Sequence, residues 1–298
     1  MRRRLVPPIV ESTTVGTPKG RRFVKKQILV ALDGSRWSGH VADWAAACAS
    51  SLGLGLTIVH VVPGEWAYPQ QNDHQLAVRR ADDLLNSEAG RLAVAFPTLP
   101  IDTKRLSGEP AETIADLSPA CSMVVVGTDR GPGTEGQGYG SVSFQVAVTS
   151  KCDVAVVPGP APQQRSGVVV GVDGSAESLD ALDQAAREAQ RLDDELIIVH
   201  ATGPEARLVD DGNVLSSAVQ RVNQKFPAVV VKEVLDTSCG PGEALIVAAR
   251  EAQLLVMGCK GRGGLSVLLG SVAQHVLLHV QCPTILTRLH REVAGGTY

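Results

Sequence analysis

QILVALDGS at residues 27–35 returns as GVVVGVDGS at residues 167–175. Each is an apolar run ending in Asp-Gly-Ser, which reads as a strand followed by the turn into a helix. The likeness extends far beyond these nine positions. LTIVHVV at 56–62 returns as LIIVHAT at 196–202, so that Asp33 and Asp173, like His60 and His200, stand 140 residues apart. Further on, Gly127 and Gly258 are 131 apart, and Gly140-Ser141 and Gly270-Ser271 are 130 apart. Self-similarity over this length indicates two copies of one domain. The falling offset puts a shorter connection between the second and fourth strands of the second copy, and removes one further residue inside its glycine-rich loop.

Both copies alternate short β-branched runs with helix-length segments. In the first, 27–32, 56–62, 101–106, 122–126 and 153–157 are predicted strands, and 38–52, about 74–95, 109–119 and 141–150 are predicted helices. In the second, strands are predicted near 167–172, 196–201, 228–235, 254–257 and 283–287. Strands this apolar, separated by helices, imply parallel β-α-β units covered on both faces and joined by right-handed crossovers. The expected division is a disordered basic tail over 1–26, one domain over 27–158, a linker over 159–166, a second domain over 167–290 and a C-terminal tail over 291–298. The linker carries Gly159-Pro160-Ala161-Pro162-Gln163-Gln164, a composition suited to an exposed boundary.

Bulk properties narrow the function. Aromatic residues are only 3% of the 298, so Ala, Val and Leu must build the cores. The net charge of −3 gives no broad electrostatic case for nucleic acid. No apolar run reaches membrane-spanning length. The first 26 residues carry eight basic side chains against Glu11, without the apolar stretch of a signal peptide. The six cysteines never fall at C-x-x-C spacing, so zinc and dithiol motifs are absent. They read as small buried hydrophobes in a reducing cytosol, with Cys259, in a loop, the one to test for reactivity.

In an open parallel sheet, ligands bind beyond the carboxyl ends of the strands. Four features of each copy meet there. Asp33 or Asp173 ends the first strand, where it suits a helix cap as well as a ligand. His60 or His200 ends the second strand, and packing or hydrogen bonding is the expected role. A glycine-rich loop follows the fourth strand. Gly140-Ser141 or Gly270-Ser271 then opens the next helix. Loop N–H groups and a helix N-terminus together make an anion site. The glycines follow strand four rather than strand one, which excludes a dinucleotide fingerprint. No G-x-x-x-x-G-K-[S/T] and no G-x-S-x-G occur, which excludes P-loop NTPases and α/β-hydrolases. D-G-S-R-W-S and D-G-S-A-E-S lack the S-G-G-x-D-S loop of adenylating enzymes. His275 and His279 lie four apart with Cys282 beyond, but the first copy has Phe144 to Val148 across this helix, so surface histidines are expected rather than a metal site.

These residues resemble the universal stress protein family, over nearly all of the chain after residue 26. The ATP-binding branch of that family carries G-x₂-G-x₉-G-[S/T] after strand four. Copy two has Gly258, Gly261 and Gly270-Ser271, one residue short of that spacing. Copy one keeps the spacing with Gly127 and Gly140-Ser141, but has Arg130 at the second glycine. The resemblance implies an α/β fold of two tandem Rossmann-like domains, each an open five-stranded parallel sheet of order 3-2-1-4-5 with helices on both faces. It implies ATP, with or without Mg²⁺, held by Asp33, Val61, Gly127, Arg130, Gly140 and Ser141 in copy one. In copy two it implies Asp173, Ala201, Gly258, Gly261, Gly270 and Ser271. The aspartate would lie near the nucleoside, the strand-two backbone near adenine, and the loop and serine near the phosphates. Arg130 removes a glycine's freedom, points a guanidinium at the phosphates, or fills the pocket; the sequence leaves all three open.

The expected function is nucleotide-dependent regulation in a stress response, with no catalytic residues and no metal ligands assigned. A nucleotide-independent scaffold and a slow ATPase are the alternatives. The expected setting is cytoplasmic, without nucleic-acid or membrane partners. Apolar fifth strands, at 154–157 and 284–287, are expected to pair the two copies with each other and to support a homodimer.

Overall fold

The computed structural model describes residues 27–128, 142–161, 163–203, 211–261 and 269–289, apart from the side chains of 211 and 212. The chain divides into two compact units, with the passage from one to the other at Pro160–Ala161.

Unit 1 contains β1 (Gln27–Ala31), α1 (Ser38–Ser51), β2 (Gly55–Val62), α2 (Gln71–Ala95), β3 (Ile101–Ser107), α3 (Pro110–Leu117), β4 (Cys121–Thr128), α4 (Val142–Thr149) and β5 (Asp153–Pro158). Its strands lie in the order β3-β2-β1-β4-β5, and every pairing among them is parallel. Unit 2 repeats the plan with β6 (Val168–Gly171), α5 (Ala176–Leu192), β7 (Leu196–Ala201), α6 (Asp211–Lys225), β8 (Val231–Asp236), α7 (Pro241–Ala249), β9 (Leu254–Gly258), α8 (Ser271–Leu278) and β10 (Thr284–Thr287). Its order is β8-β7-β6-β9-β10, again wholly parallel. The five-stranded 3-2-1-4-5 arrangement expected from sequence is thus present in each unit.

The central strands are continuous apolar runs because both faces are covered. Ile28, Leu29 and Val30 of β1 and Val168, Val169 and Val170 of β6 are buried. The helices over them bury mainly alanine: Ala42, Ala45, Ala46 and Ala49 on α1, and Ala181, Ala185, Ala186 and Ala189 on α5. Those positions recur at helical spacing, and small side chains let each helix lie close on the sheet. Pro110 and Pro241 stand at the first turns of α3 and α7, where a missing N–H costs nothing.

The second helix of each unit is tied to the first by an ion pair. Arg91 reaches Asp43 at 2.6 Å in unit 1, and Arg221 grips both carboxylate oxygens of Asp183 at 2.7 and 2.8 Å in unit 2. Lys225 adds a third contact to Asp183 at 2.7 Å. The two pairs occupy corresponding places in the duplicated sequence.

Boundaries differ in places from the sequence reading: α2 begins at Gln71 rather than about 74. β8 begins at Val231 rather than near 228. Phe226 closes α6 by donating to Val222 O at 2.7 Å, and Val229 donates back to Phe226 O at 3.0 Å. The backbone of 226–229 is therefore committed to a turn, in keeping with Pro227 inside it.

Candidate functional site

Both Asp-Gly-Ser turns sit at the carboxyl end of a central strand. The glycines require a left-handed backbone: Gly34 has φ +78° and Gly174 has φ +77°, a region glycine enters without the steric cost that a Cβ brings. The turn folds the aspartate onto its own following residues. In unit 1, Asp33 Oδ1 accepts from Ser35 N at 2.8 Å and from Ser38 Oγ at 3.0 Å. In unit 2, Asp173 Oδ1 accepts from Ser175 N at 2.9 Å and Ser175 Oγ at 2.5 Å. Ser175 then caps α5 by accepting from Ser178 N at 3.2 Å. Partial burial works to raise the pKa of Asp33, but hydrogen bonds from Ser35 and Ser38 outweigh it and hold this carboxyl below its ordinary value.

Ser38 and Ser178 are buried, and both take part in these turns. They stand 140 residues apart in sequence, and that repeat was the signal for them. Sequence reading assigned them no role because a serine one turn into a helix is unremarkable on its own.

The strand-two histidines are held by hydrogen bonds, as expected from sequence. His60 donates Nδ1–H to Leu32 O, and His200 donates Nδ1–H to Val172 O, both at 2.7 Å. Each accepting carbonyl belongs to the residue just before the aspartate.

The loop after β9 is described at its two ends, 259–261 and 269–270. Its two ends are tied together where Gly270 N donates to Cys259 O at 2.8 Å. Cys259 N in turn donates to Thr287 O of β10 at 3.0 Å. Gly261 lies hard against Asp173: a Cβ at this position would overlap Asp173 Oδ2. Gly258 is similarly confined, since a Cβ there would come within 3.1 Å of the Glu177 backbone. These glycines are needed for close approach between the loop, the Asp-Gly-Ser turn and the start of α5.

The result is a cavity of about 550 Å³ in unit 2. Asp173, Ala201, Gly258, Gly261, Gly270 and Ser271, the six positions expected for copy two, all line it. One wall is apolar, with Val199, Pro241, Leu245, Met257 and Leu269. The lining also includes Lys260 and the first turn of α8, whose leading N–H groups have no partner within the helix. A flat apolar group and an anionic group could thus be held together. Pro241 and Leu245 escaped the sequence reading, although Pro110 and Pro241 stand 131 apart, as Gly127 and Gly258 do.

In unit 1, Asp33 and Gly127 line a space of about 10 Å³ together with Trp37, Ser38 and Thr128. Val61 is buried in β2 and does not line it. Arg130, Gly140 and Ser141 lie outside the described residues.

Cys259 is buried at the root of the loop and lines the same cavity, whereas Cys282, His275 and His279 do not line it. Burial pushes the Cys282 thiol up to about 12, against the opposing charge of Arg165. His275 Nε2 stands 3.7 Å from Glu243 Oε2, and the His275 and His279 rings are 5.0 Å apart. Among the described residues no group of three or more His, Cys, Asp or Glu side chains could hold a metal ion. No helix among the described residues is long and apolar enough to cross a membrane.

Comparison with known proteins agrees with this architecture. Residues 25–158 and 166–288 each match the universal stress protein family. The chain belongs to that family. A universal stress protein of Mycobacterium tuberculosis is 32% identical over 292 residues, covering 88% of this chain and 96% of the relative. Another from the same organism is 31% identical over 313 residues, covering 90% and 96%. Among solved structures, a universal stress protein from Archaeoglobus fulgidus aligns with a TM-score of 0.70 at 18% identity, covering 89% of this chain and 97% of that one. At that identity the likeness concerns the fold. This tandem universal stress protein therefore spans nearly the full length of the relatives it matches.

Proposed function

We propose that this universal stress protein binds ATP in unit 2 and uses nucleotide occupancy to set its conformation or its choice of partner in a stress response. The observation that carries this reading is the convergence of all six copy-two residues on one cavity with an apolar wall and a cationic, helix-terminated end. The apolar wall of Leu245, Pro241 and Met257 suits a purine face. Lys260, the loop backbone and the N-terminus of α8 suit phosphates. Asp173, which lines the same cavity, would serve the ribose.

The donor set bears on Mg²⁺. Asp173 is the one carboxylate among the described lining residues, and its Oδ1 is already engaged by Ser175. The undescribed part of the loop, 262–268, contains no acidic residue. An accompanying Mg²⁺ would therefore be carried mainly by the phosphates and water, as this ion commonly is. The described lining also holds no histidine and no second carboxylate, so we assign the site binding rather than turnover.

A site in unit 1 built on Asp33, Val61, Gly127, Arg130, Gly140 and Ser141 is the corresponding proposal for the first copy. A homodimer is the corresponding proposal for assembly, to be read by sedimentation.

Isothermal titration of the full chain with ATP tests the central claim. Saturable binding with at least one nucleotide per chain is expected, together with a concentration-dependent rise in melting temperature. A folded protein that takes up no ATP overturns it.

A further inference from the structure

Resting on the reading of the unit 2 cavity as a phosphate site, we propose that Gln274 is a positioning residue, one that fixes the closing end of the glycine loop for the phosphates.

Gln274 lies on the first turn of α8, and its main-chain N–H is committed to Gly270 O at 3.0 Å. Its side chain turns back to the loop, where Nε2 donates to Leu269 O at 3.0 Å. Leu269 is the last loop residue before the Gly-Ser that opens the helix. Its side chain is almost wholly buried and forms part of the cavity wall. Two hydrogen bonds therefore pin the loop where it re-enters the fold: Gly270 to Cys259 across the stem, and Gln274 to Leu269 beside it.

The physical need follows from composition. Gly270 brings no side chain of its own to hold the backbone where the loop ends, and backbone already fixed in the free protein leaves less ordering for binding to offset. Only a donor can serve, because the partner is a carbonyl. Glutamine supplies one; glutamate at the same length supplies none. The fourth residue after Gly140 is Phe144, where the fourth after Gly270 is Gln274. The two copies thus differ in residue type at this position, and a comparison of the repeats passes over it.

The test compares ATP with adenosine, which shares the base and ribose but lacks the phosphates. In wild type, Gln274→Ala and Gln274→Glu, both affinities are measured by titration calorimetry. Hydrogen exchange of the 259–274 segment is measured without ligand. Both variants are expected to lose roughly fivefold to tenfold in ATP affinity, the scale of one hydrogen bond, with adenosine within twofold of wild type. Exchange across the segment is expected to rise in the unliganded variants. Equal losses for ATP and adenosine would mean general damage to the fold and overturn the proposal, as would unchanged ATP affinity. Wild-type protein that binds neither ligand removes the phosphate reading itself, whereas unchanged exchange in the variants removes the anchor alone.

Discussion

His200 donates its Nδ1–H to the carbonyl of Val172 across 2.7 Å, and so fixes the backbone that delivers Asp173 to the cavity. His60 and Leu32 repeat this bond in unit 1. The bond ties the end of strand two to the end of strand one, just where the chain leaves the sheet. Replacing His200 with alanine leaves the Val172 carbonyl without this donor in a buried setting. A loss of about 1–3 kcal/mol is expected, read from urea denaturation. An unshifted midpoint would show that the bond contributes nothing.

Gly261 tests whether close contact between the loop and Asp173 is required. Any side chain at 261 meets the Asp173 carboxylate. Gly261→Arg also copies the residue that unit 1 has at position 130. The added side chain must displace the Asp173 carboxylate, so a modest loss of stability without ligand is expected, and ATP affinity is expected to fall tenfold or more, about 1.4 kcal/mol. Retention of full affinity would show that the loop can open without cost.

Lys260 tests the phosphate end of the cavity. Lys260→Gln removes the charge and keeps most of the stem. ATP affinity is expected to drop severalfold and to become less sensitive to added salt, because a screened ion pair has gone. Adenosine binding is expected to be unaffected. Matching losses for the two ligands would place Lys260 away from the phosphates.

Asp183 makes stability depend on pH. Burial works to raise its pKa, but hydrogen bonds and charge from Arg221 and Lys225 outweigh this and hold it below the ordinary 3.8. The folded state thus binds this proton more weakly than the unfolded state does. The stabilisation is complete above the unfolded value and is lost as pH falls through the lower folded one. Asp183→Asn is expected to cost about 1–3 kcal/mol at neutral pH, a moderate figure because Arg221 and Lys225 remain partly in water. Its deficit against wild type should shrink below pH 3.8. A deficit that stays constant down to acid pH would falsify the linkage.

Much of the fold was legible because strand and helix periodicities are local and the chain states them twice. Asp33 with Asp173, and His60 with His200, marked strand ends in both copies, and the glycines after strand four marked the edge where a ligand could lie. The repeat helped less where a residue's role depends on a distant neighbour. Pro241 and Leu245 read as an ordinary helix start, and only packing made them a cavity wall. Gln274 escaped because its partner is a backbone carbonyl, which carries no side-chain signature, and because Phe144 breaks the repeat. β8 starts later than its apolar run because Ala228, Val229 and Val230 lead without a break into Val231, although Pro227 marks the turn.

The sequence by itself determined the duplication, the parallel α/β class and the set of polar and glycine positions at the sheet edge, since each depends on spacing along the chain. The tertiary structure decided which of those positions share one space. It brought Asp173 from β6 against Gly261 after β9, although 88 residues separate them. Only the lateral order of strands makes them neighbours. That contact explains why a glycine is needed at 261, a requirement that residue type alone could only suggest.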